Sequence, residues 1–356
     1  MITVYSDKHR LQHGRGEFND GKVMPCFEKP NRVDAILARV KSEKLGPVIE
    51  PYEFSNEPIL KVHTKDYLEF LESAWDQWKS IHGDIDAFPL VWPVRGLRQV
   101  CPEHIDGKIS YYAMDAGTPI TSGTYEAVTS TAKVALTAQK LVTEGEHAAF
   151  ALCRPPGHHA SKDVYGGYCF LNNAAIAAQA FIDQGAKKIS ILDIDYHHGN
   201  GTQDIFYRRN DVLFISIHAD PVIEFPYFLG YAEEKGEGEG LGFNHNFPLP
   251  FGTVEKQWFE ALSLALKKIS VYAPDAVVIS LGVDTFEGDP ISDFKLKTED
   301  YTKIGQRLAL LKLPTVFVME GGYDVDEIGV NTVNVLAGFE SKKNLTNKPS
   351  YKQISR

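Results

Sequence analysis

Residues 189–201 read I-S-I-L-D-I-D-Y-H-H-G-N-G and constrain the fold more than any other stretch. An apolar run of strand length leads straight into Asp193, Asp195 and His197, spaced two apart. Successive side chains on a strand alternate faces, so this spacing predicts that the three point the same way. Carboxylates and an imidazole leaving the C-terminal end of a strand together can hold a divalent metal. Gly199-Asn200-Gly201 then predicts a sharp backbone turn. One Asp at a strand end is ordinarily just solvated. Three polar groups on one face, with His198 next to them, call for more than that.

The rest of the chain supplies a frame for this strand. Ile2–Tyr5 reads as a short strand and 9–26 as a polar, Gly-rich loop carrying Glu17. A helix is predicted over 30–44, from the apolar spacing of Val33, Ile36, Leu37 and Val40. Another runs through Tyr67, Phe70, Leu71 and Trp75, with Thr64 as its N-cap. Residues 81–122 hold Pro89, Pro93, Pro102 and Pro119 and no sustained period. So long an irregular stretch is a functional loop or an interface, and Phe88, Leu90 and Trp92 favour the interface.

From Thr124 the pattern alternates. Helices are predicted over 127–142, 173–183, 258–271, 301–311 and 326–337, and buried strands over 148–153, 212–218, 276–282 and 315–320, beside the strand that starts at 189 and carries its alternation to His197. Residues 233–242 read as a solvated loop. Apolar strands alternating with helices predict a single α/β domain, a mostly parallel sheet covered on both faces. The domain is expected over 1–341, with a polar tail at 342–356. In such sheets ligands bind beyond the carboxyl ends of the strands. Each predicted strand indeed runs into chemistry: Arg154-Pro-Pro-Gly-His158-His159, Asp195 with His197, His218, Gly282-Val-Asp284, and Glu320-Gly-Gly-Tyr323.

Composition narrows the partners. The 356 residues are 43% hydrophobic and 24% charged, with a formal net charge of −10. A phosphate backbone wants clustered Lys and Arg, so a nucleic-acid partner is disfavoured, whereas a small cationic substrate suits the charge. The four cysteines, at 26, 101, 153 and 169, have no paired spacing. That fits a reducing, cytoplasmic setting rather than a disulfide scaffold. No signal peptide or membrane-length apolar run is expected.

The motifs R-P-P-G-H-H at 154–159, G-Y-C-F-L-N-N at 167–173, D-I-D-Y-H-H-G-N-G-T-Q at 193–203, S-L-G-V-D at 280–284 and M-E-G-G-Y at 319–323 occur in order across most of the chain. Together they resemble the zinc-dependent histone deacetylase-like family of the arginase/deacetylase fold. The 81–122 insertion, Glu17 and the run at 282–290 look most like the bacterial acetylpolyamine amidohydrolase branch.

The resemblance assigns Asp195, His197 and Asp284 as ligands of one catalytic metal. Two carboxylates and one imidazole suit Zn2+ and also admit Fe2+, Co2+ or Mn2+. Such an ion polarises an amide carbonyl and acidifies water. The developing oxyanion needs a donor, and Tyr323 fits, swung inward by Gly321 and Gly322. The resemblance makes His159 the principal base and acid and gives His158 electrostatic support. Asp193 is the expected partner of His158, and Asn200 of His159. A neutral Asn leaves His159 less basic and able to work in its neutral form near pH 7.

The resemblance also implies a structural K+ at Asp193 and Ser216 with backbone carbonyls of Asp195, His197 and Ile217. A second K+ would lie near Phe206 and Val212. It further implies a tunnel lined by Gly167, Tyr168 and Phe225, with Ile291 as gatekeeper and Cys153 on the acetate side. Glu17 is expected at the rim, paired with a distal ammonium. Asp106 stands where relatives tend to carry a glutamate, and Gly117 where some carry another acid. A homodimer through the insertion is implied too. The reaction this suggests is deacetylation of acetylputrescine, acetylcadaverine or acetylspermidine. The alternatives are a lysine deacetylase acting on peptides, proteins or other acyl amides, and a non-enzymatic acyl-amine binding protein. A ureohydrolase stands further off, because its two-metal site needs a denser Asp/His cluster.

Overall fold

The structure, a computed structural model, describes residues 1–19 and 21–341. The polar tail expected at 342–356 lies outside the described residues. The chain opens with β1 (Ile2–Val4), then a hairpin of β2 (Glu17–Asn19) and β3 (Lys22–Met24), then α1 (Asn31–Ser42). The short β4 (Val48–Ile49) and α2 (Glu57–Leu60) precede α3 (Lys65–His82) and α4 (Ile105–Tyr112). Strand and helix then alternate: α5 (Thr124–Thr143), β5 (Ala148–Ala151), α6 (Asn173–Asp183), β6 (Ile189–Asp193), α7 (Asn200–Phe206) and β7 (Val212–Ala219). They are followed by β8 (Asn244–Leu249), α8 (Glu255–Tyr272), β9 (Ala276–Leu281), α9 (Thr298–Leu308), β10 (Thr315–Met319) and α10 (Ile328–Ser341).

Eight strands form one sheet in the order β4-β1-β5-β10-β9-β6-β7-β8, and every pairing is parallel. Its faces are sorted by alternation along each strand. Val212 and Phe214 of β7, Val278 of β9, and Val316 and Val318 of β10 point into one core, which also holds the inner sides of α3, α5 and α6. Leu213 and Ile215, Val277 and Ile279, and Phe317 and Met319 point into the other, closed by α1, α8, α9 and α10. Near-continuous apolar strands result because neither face meets water.

Five strands that carry polar clusters in the sequence, β5, β10, β9, β6 and β7, are five consecutive neighbours in the sheet. Parallel pairing puts all their carboxyl ends on one edge, so residues from 154 to 323 converge there without any long excursion.

Several local expectations are corrected. Within 81–122 the structure contains α4, which buries Ile105, Ile109 and Tyr112 and takes a cap bond from Asp106 N to His104 Nδ1 (3.4 Å). Its helical spacing is short and flanked by prolines, so the sequence hides it. Glu17 sits in a strand of the hairpin rather than a loop. Thr64 stands at the N-cap position of α3 in an extended conformation but accepts no capping bond. Strand β6 ends at Asp193, and β7 runs through His218 to Ala219.

Helices α9 and α10 cross at Gly305 and Gly338, where a Cβ would overlap the carbonyls of Val335 and Thr302. Gly305→Ala forces the pair apart. It is expected to cost about 1–3 kcal/mol, the usual range for overpacking, seen as a lower thermal unfolding midpoint.

Candidate metal centre and active site

Past the end of β6 the backbone stays on its neighbour, Ile194 N donating to Ser280 O of β9 (3.0 Å), and then bends through residues 195–197. The bend, rather than strand alternation, brings Asp195 and His197 together. Backbone N–H groups lock the carboxylates: Asp195 Oδ1 accepts from His197 N (2.9 Å), Asp284 Oδ1 from Tyr196 N (2.8 Å) and Asp195 Oδ2 from Gly321 N (2.8 Å). Three strand ends are thereby tied to one point.

Ligand atoms of Asp195, His197 and Asp284 lie within 4.8 Å of one another, and all three residues are buried. His197 Nδ1 is 3.4 Å from Asp195 Oδ1 and 3.3 Å from Asp284 Oδ2. A Cβ on Gly282 or Gly321 would overlap these carboxylates, so only glycine fits the floor of the cradle. Burial, then the charge of Asp195, pushes the Asp284 carboxyl up to about 8. Two acids crowded out of water with one imidazole are a donor set that a divalent cation satisfies.

The histidine pair follows the Pro-Pro-Gly turn after β5, with ring centroids 4.0 Å apart. His158 Nδ1 meets Asp193 Oδ2 at 3.0 Å, and His159 Nδ1 meets Asn200 Oδ1 at 2.7 Å. Those oxygens accept, so each Nδ1 carries a proton, and the surroundings of each ring decide whether Nε2 carries one too. The two environments push the rings apart. Burial opposes a charge on His158, but Asp195 and Asp193 outweigh it and raise it to about 10. Burial, then the charges of His158 and His197, holds His159 well below its ordinary value. The two surroundings thus favour a proton on His158 and disfavour one on His159, a separation that suits acid–base chemistry.

A cavity of about 650 Å³ reaches this centre and is lined by Glu17, His159, Gly167, Tyr168, His197, Phe225, Ile291 and Tyr323, among others. Gly322 has φ +126°, the conformation that swings Tyr323 inward. Gly321 serves close approach instead. Tyr323 is 7% exposed, packs edge-on to Tyr168 at 5.7 Å and lies over the Arg32 guanidinium at 4.7 Å. Its backbone N donates to Asp289 Oδ2 (2.7 Å), whose Oδ1 accepts from Ile291 N (3.1 Å). Gly167 has φ +55°, and a Cβ there would overlap the His159 ring. Phe225 meets His159 edge-on at 5.0 Å. Glu17 Oε1 accepts from Tyr168 OH (2.9 Å) and Oε2 from Phe27 N (3.1 Å).

Residues 26–339 match the family model for the histone deacetylase domain. The chain belongs to the histone deacetylase domain family. Acetylpolyamine amidohydrolase 2 of Pseudomonas aeruginosa is 56% identical over 96% of this chain and 99% of its own length. Acetylpolyamine amidohydrolase of Mycoplana ramosa is 50% identical, over 95% and 99%. Among solved structures, acetylpolyamine aminohydrolase from Burkholderia pseudomallei superposes with a TM-score of 0.92 at 39% identity, covering 96% of this chain and 99% of that one. The HDA15 HD domain gives 0.79 at 27%, covering 97% and 92%.

Not every expected residue of this deacetylase-family chain reaches the cavity. Cys153 is buried with Sγ turned to Thr131 O (3.6 Å) and is absent from the cavity lining. Asp106 lies on α4, 2.7 Å from His82 Nε2, outside the cavity of its own chain. His218 faces Ser216 Oγ (2.7 Å) and Gly230 O (2.9 Å) rather than the site. Asp193 and Ser216 are direct register partners on β6 and β7. Ile217 is buried, and the Phe206 carbonyl accepts from Arg209 N (2.9 Å). Glu17 is 1% exposed, inside the cavity wall rather than at an open rim.

Sequence reasoning missed the scaffold behind the site. Glu28 Oε1 accepts from Arg32 Nη1 and Arg154 Nε, each at 2.8 Å, and Arg32 also donates to the carbonyls of Glu320 and Gly322. Asp115 Oδ1 accepts from Gly117 N (3.0 Å) and Thr118 N (3.1 Å), and its other oxygen from Gly167 N. Only Asp289 had a visible signal, lying inside the run at 282–290.

Asn200→Asp places a carboxylate on His159 Nδ1 and favours its protonated form. A base must be unprotonated, so the low-pH limb of kcat/KM is expected to move to higher pH. A profile from pH 5 to 9 reads this directly.

Proposed function

We propose that the chain is a divalent-metal-dependent amidohydrolase that removes the acetyl group from acetylated polyamines. The observation that carries this reading is one cavity with three stations. His159, His197 and Tyr323 stand at the reacting end, Tyr168 and Phe225 flank the passage, and the Glu17 carboxylate lies in the same wall. An amide, a methylene chain and a distal ammonium have those same three parts. The relatives named as acetylpolyamine amidohydrolases support it.

Asp195, His197 and Asp284 hold the ion, with Zn2+ the first choice and Fe2+, Co2+ or Mn2+ compatible. The bound ion supplies Lewis acidity toward the carbonyl and water. His159, neutral and with Nε2 free, takes the proton from the attacking water. Tyr323 OH donates to the carbonyl oxygen as it gains negative charge. His159 then returns the proton to the departing nitrogen, because an amine anion is too basic to leave. His158, charged and fixed on Asp193, keeps His159 from holding that proton too tightly.

Phe225 and Tyr168 exclude water from the methylene chain, and their faces favour the ammonium. Ile291 narrows the mouth. A K+ at Asp193 and Ser216, with the carbonyls of Asp195, His197 and Ile217, would steady the His158 partner. The side-by-side register of Asp193 and Ser216 supports it. The second K+, near Phe206 and Val212, has no comparable support. Four free cysteines accord with a reducing, cytoplasmic setting, and no helix among the described residues is long and apolar enough to cross a membrane.

The insertion exposes Leu90, Val91, Val94, Leu97 and Val100 side by side in the sequence, a homodimer face in this reading. Asp106 on the same insertion would then meet substrate only in the cavity of a second copy. Sedimentation velocity is expected to give a dimer, and Leu90→Asp a monomer.

The decisive measurement is acetate release from acetylputrescine, acetylcadaverine, acetylspermidine and an acetyl-lysine peptide on metal-defined protein. The amines are expected to be hydrolysed and the peptide poorly. Preference for the peptide, or binding without acetate release, would sink the polyamine reading.

Burial pushes Glu17 up to about 7 from an ordinary 4.5. Ammonium capture needs the ionised form, so KM for acetylputrescine is expected to rise as pH falls from 8 to 6, while Glu17→Gln flattens that slope. The folded state holds this proton more tightly than the unfolded one, so Glu17 destabilises as pH rises through 4.5 to 7. Glu17→Gln should therefore raise the thermal midpoint at pH 8 and leave it unmoved at pH 4.

A further inference from the structure

Behind the histidine pair lies another set of ligand atoms that hydrolysis does not use. A nitrogen of His158, Cys169 Sγ and a carboxylate oxygen of Glu320 lie within 4.8 Å of one another, and all three residues are buried. Glu320 Oε2 accepts from Gly157 N (2.6 Å) and His158 N (3.1 Å). Its Oε1 is buried and has no hydrogen-bond partner among the described residues, on a side chain that is 0% exposed. A buried carboxylate oxygen without a donor is costly, and only a proton or a cation relieves it. Cys169 Sγ donates to Gly167 O (3.3 Å), and the backbone N–H of His159 is directed at the sulfur. His158 spends Nδ1 on Asp193, so Nε2 is the atom left to ligate.

We infer that His158, Cys169 and Glu320 form a second divalent-metal site, separate from Asp195, His197 and Asp284, that takes a thiophilic ion such as Zn2+ or Cd2+ and silences the enzyme when filled. One nitrogen, one sulfur and one oxygen form a set that softer ions choose over Mg2+ or Ca2+. Ligand atoms that lie within 4.8 Å of one another can converge on one ion after small side-chain adjustments. Binding releases two protons to solvent, one from the thiol and one from Nε2 of the His158 ring, since thiolate and neutral imidazole are the ligand forms. Thiolate and carboxylate then balance the dication, and no net charge is buried.

Inhibition follows from position. Filling the site replaces the Nε2 proton of His158 with the ion, so that ring can no longer exchange a proton beside His159. The site would fill only after the first, because Cys169 must surrender a proton to enter it. The inhibitory part rests on the functional reading above. The site itself does not, and its test needs no substrate.

Metal-free full-length chain is titrated with Co2+ and followed by absorption. The first equivalent is expected to bind without a thiolate-to-cobalt charge-transfer band, since that centre holds no sulfur. The second is expected to bring the band in the near ultraviolet, and acetate release should fall with it. Cys169→Ser should lose the band, keep the first equivalent and resist inhibition by excess Zn2+. Glu320→Gln keeps an oxygen for the Gly157 and His158 N–H groups, so it remains informative should the serine variant misfold. It should shift the second equivalent to higher metal concentration. Saturation at one equivalent, a second equivalent without the band, or a band that survives Cys169→Ser would each overturn the site. Failure to release acetate from any acetylamine would sink the functional reading while leaving the band to be judged by itself.

Discussion

Two carboxylates, Asp195 and Asp284, are held close together out of water around His197, and the site depends on that arrangement. Left alone, such a pair repels itself and favours taking up a proton, as the high Asp284 value reflects. It persists because backbone N–H groups from His197, Tyr196 and Gly321 are aimed at its oxygens. Those donors come from the ends of β6 and β10, and Asp284 itself follows β9. The parallel sheet therefore supplies a preorganised hole for a dication, and folding has already met the cost of crowding the two acids.

The same pair polarises its surroundings. Asp195, with Asp193, holds a charge on His158, and that charge helps to keep His159 neutral. The two rings also differ in partner, a carboxylate at Asp193 and an amide at Asn200, which adds to the contrast set by burial and the surrounding charges. Arg32 extends the logic outward. It ties the carbonyls of Glu320 and Gly322, supports the Tyr323 ring and shares Glu28 with Arg154. Tyr323 and the histidine loop thus hang from one buried ion cluster.

Much of this was legible in the residue order, for a physical reason. Parallel strands must be apolar throughout, and their polar residues can only follow them, so 189–193, 276–281 and 315–319 announced both the sheet and the edge where chemistry gathers. The buried cluster of Asp195, His197 and Asp284 was legible for the same reason, although strand alternation is not what joins Asp195 and His197. A bend after β6 joins them, where strand alternation was expected. The turn glycines were misread in a related way. Gly199 has φ −73° and needs no special backbone, but a Cβ there would overlap Asp193. Short-range pattern shows that a glycine is present, and only packing shows why. Glu28, Asp115 and α4 stayed hidden because their partners lie far away in sequence or their periodicity is broken by prolines.

What the sheet edge fixes and what the loops fix are different properties. The ligand trio and the histidine pair stand on short segments anchored to the sheet, where a displacement would strain several hydrogen bonds at once. Glu17, Tyr168, Phe225 and Ile291 come from a hairpin and from loops, each tied by one or two bonds. The passage can therefore change its length, charge or width without disturbing the centre. On that argument Gly117, in the wall of the same cavity, bears on which ligand fits, while the chemistry is set by the strand ends.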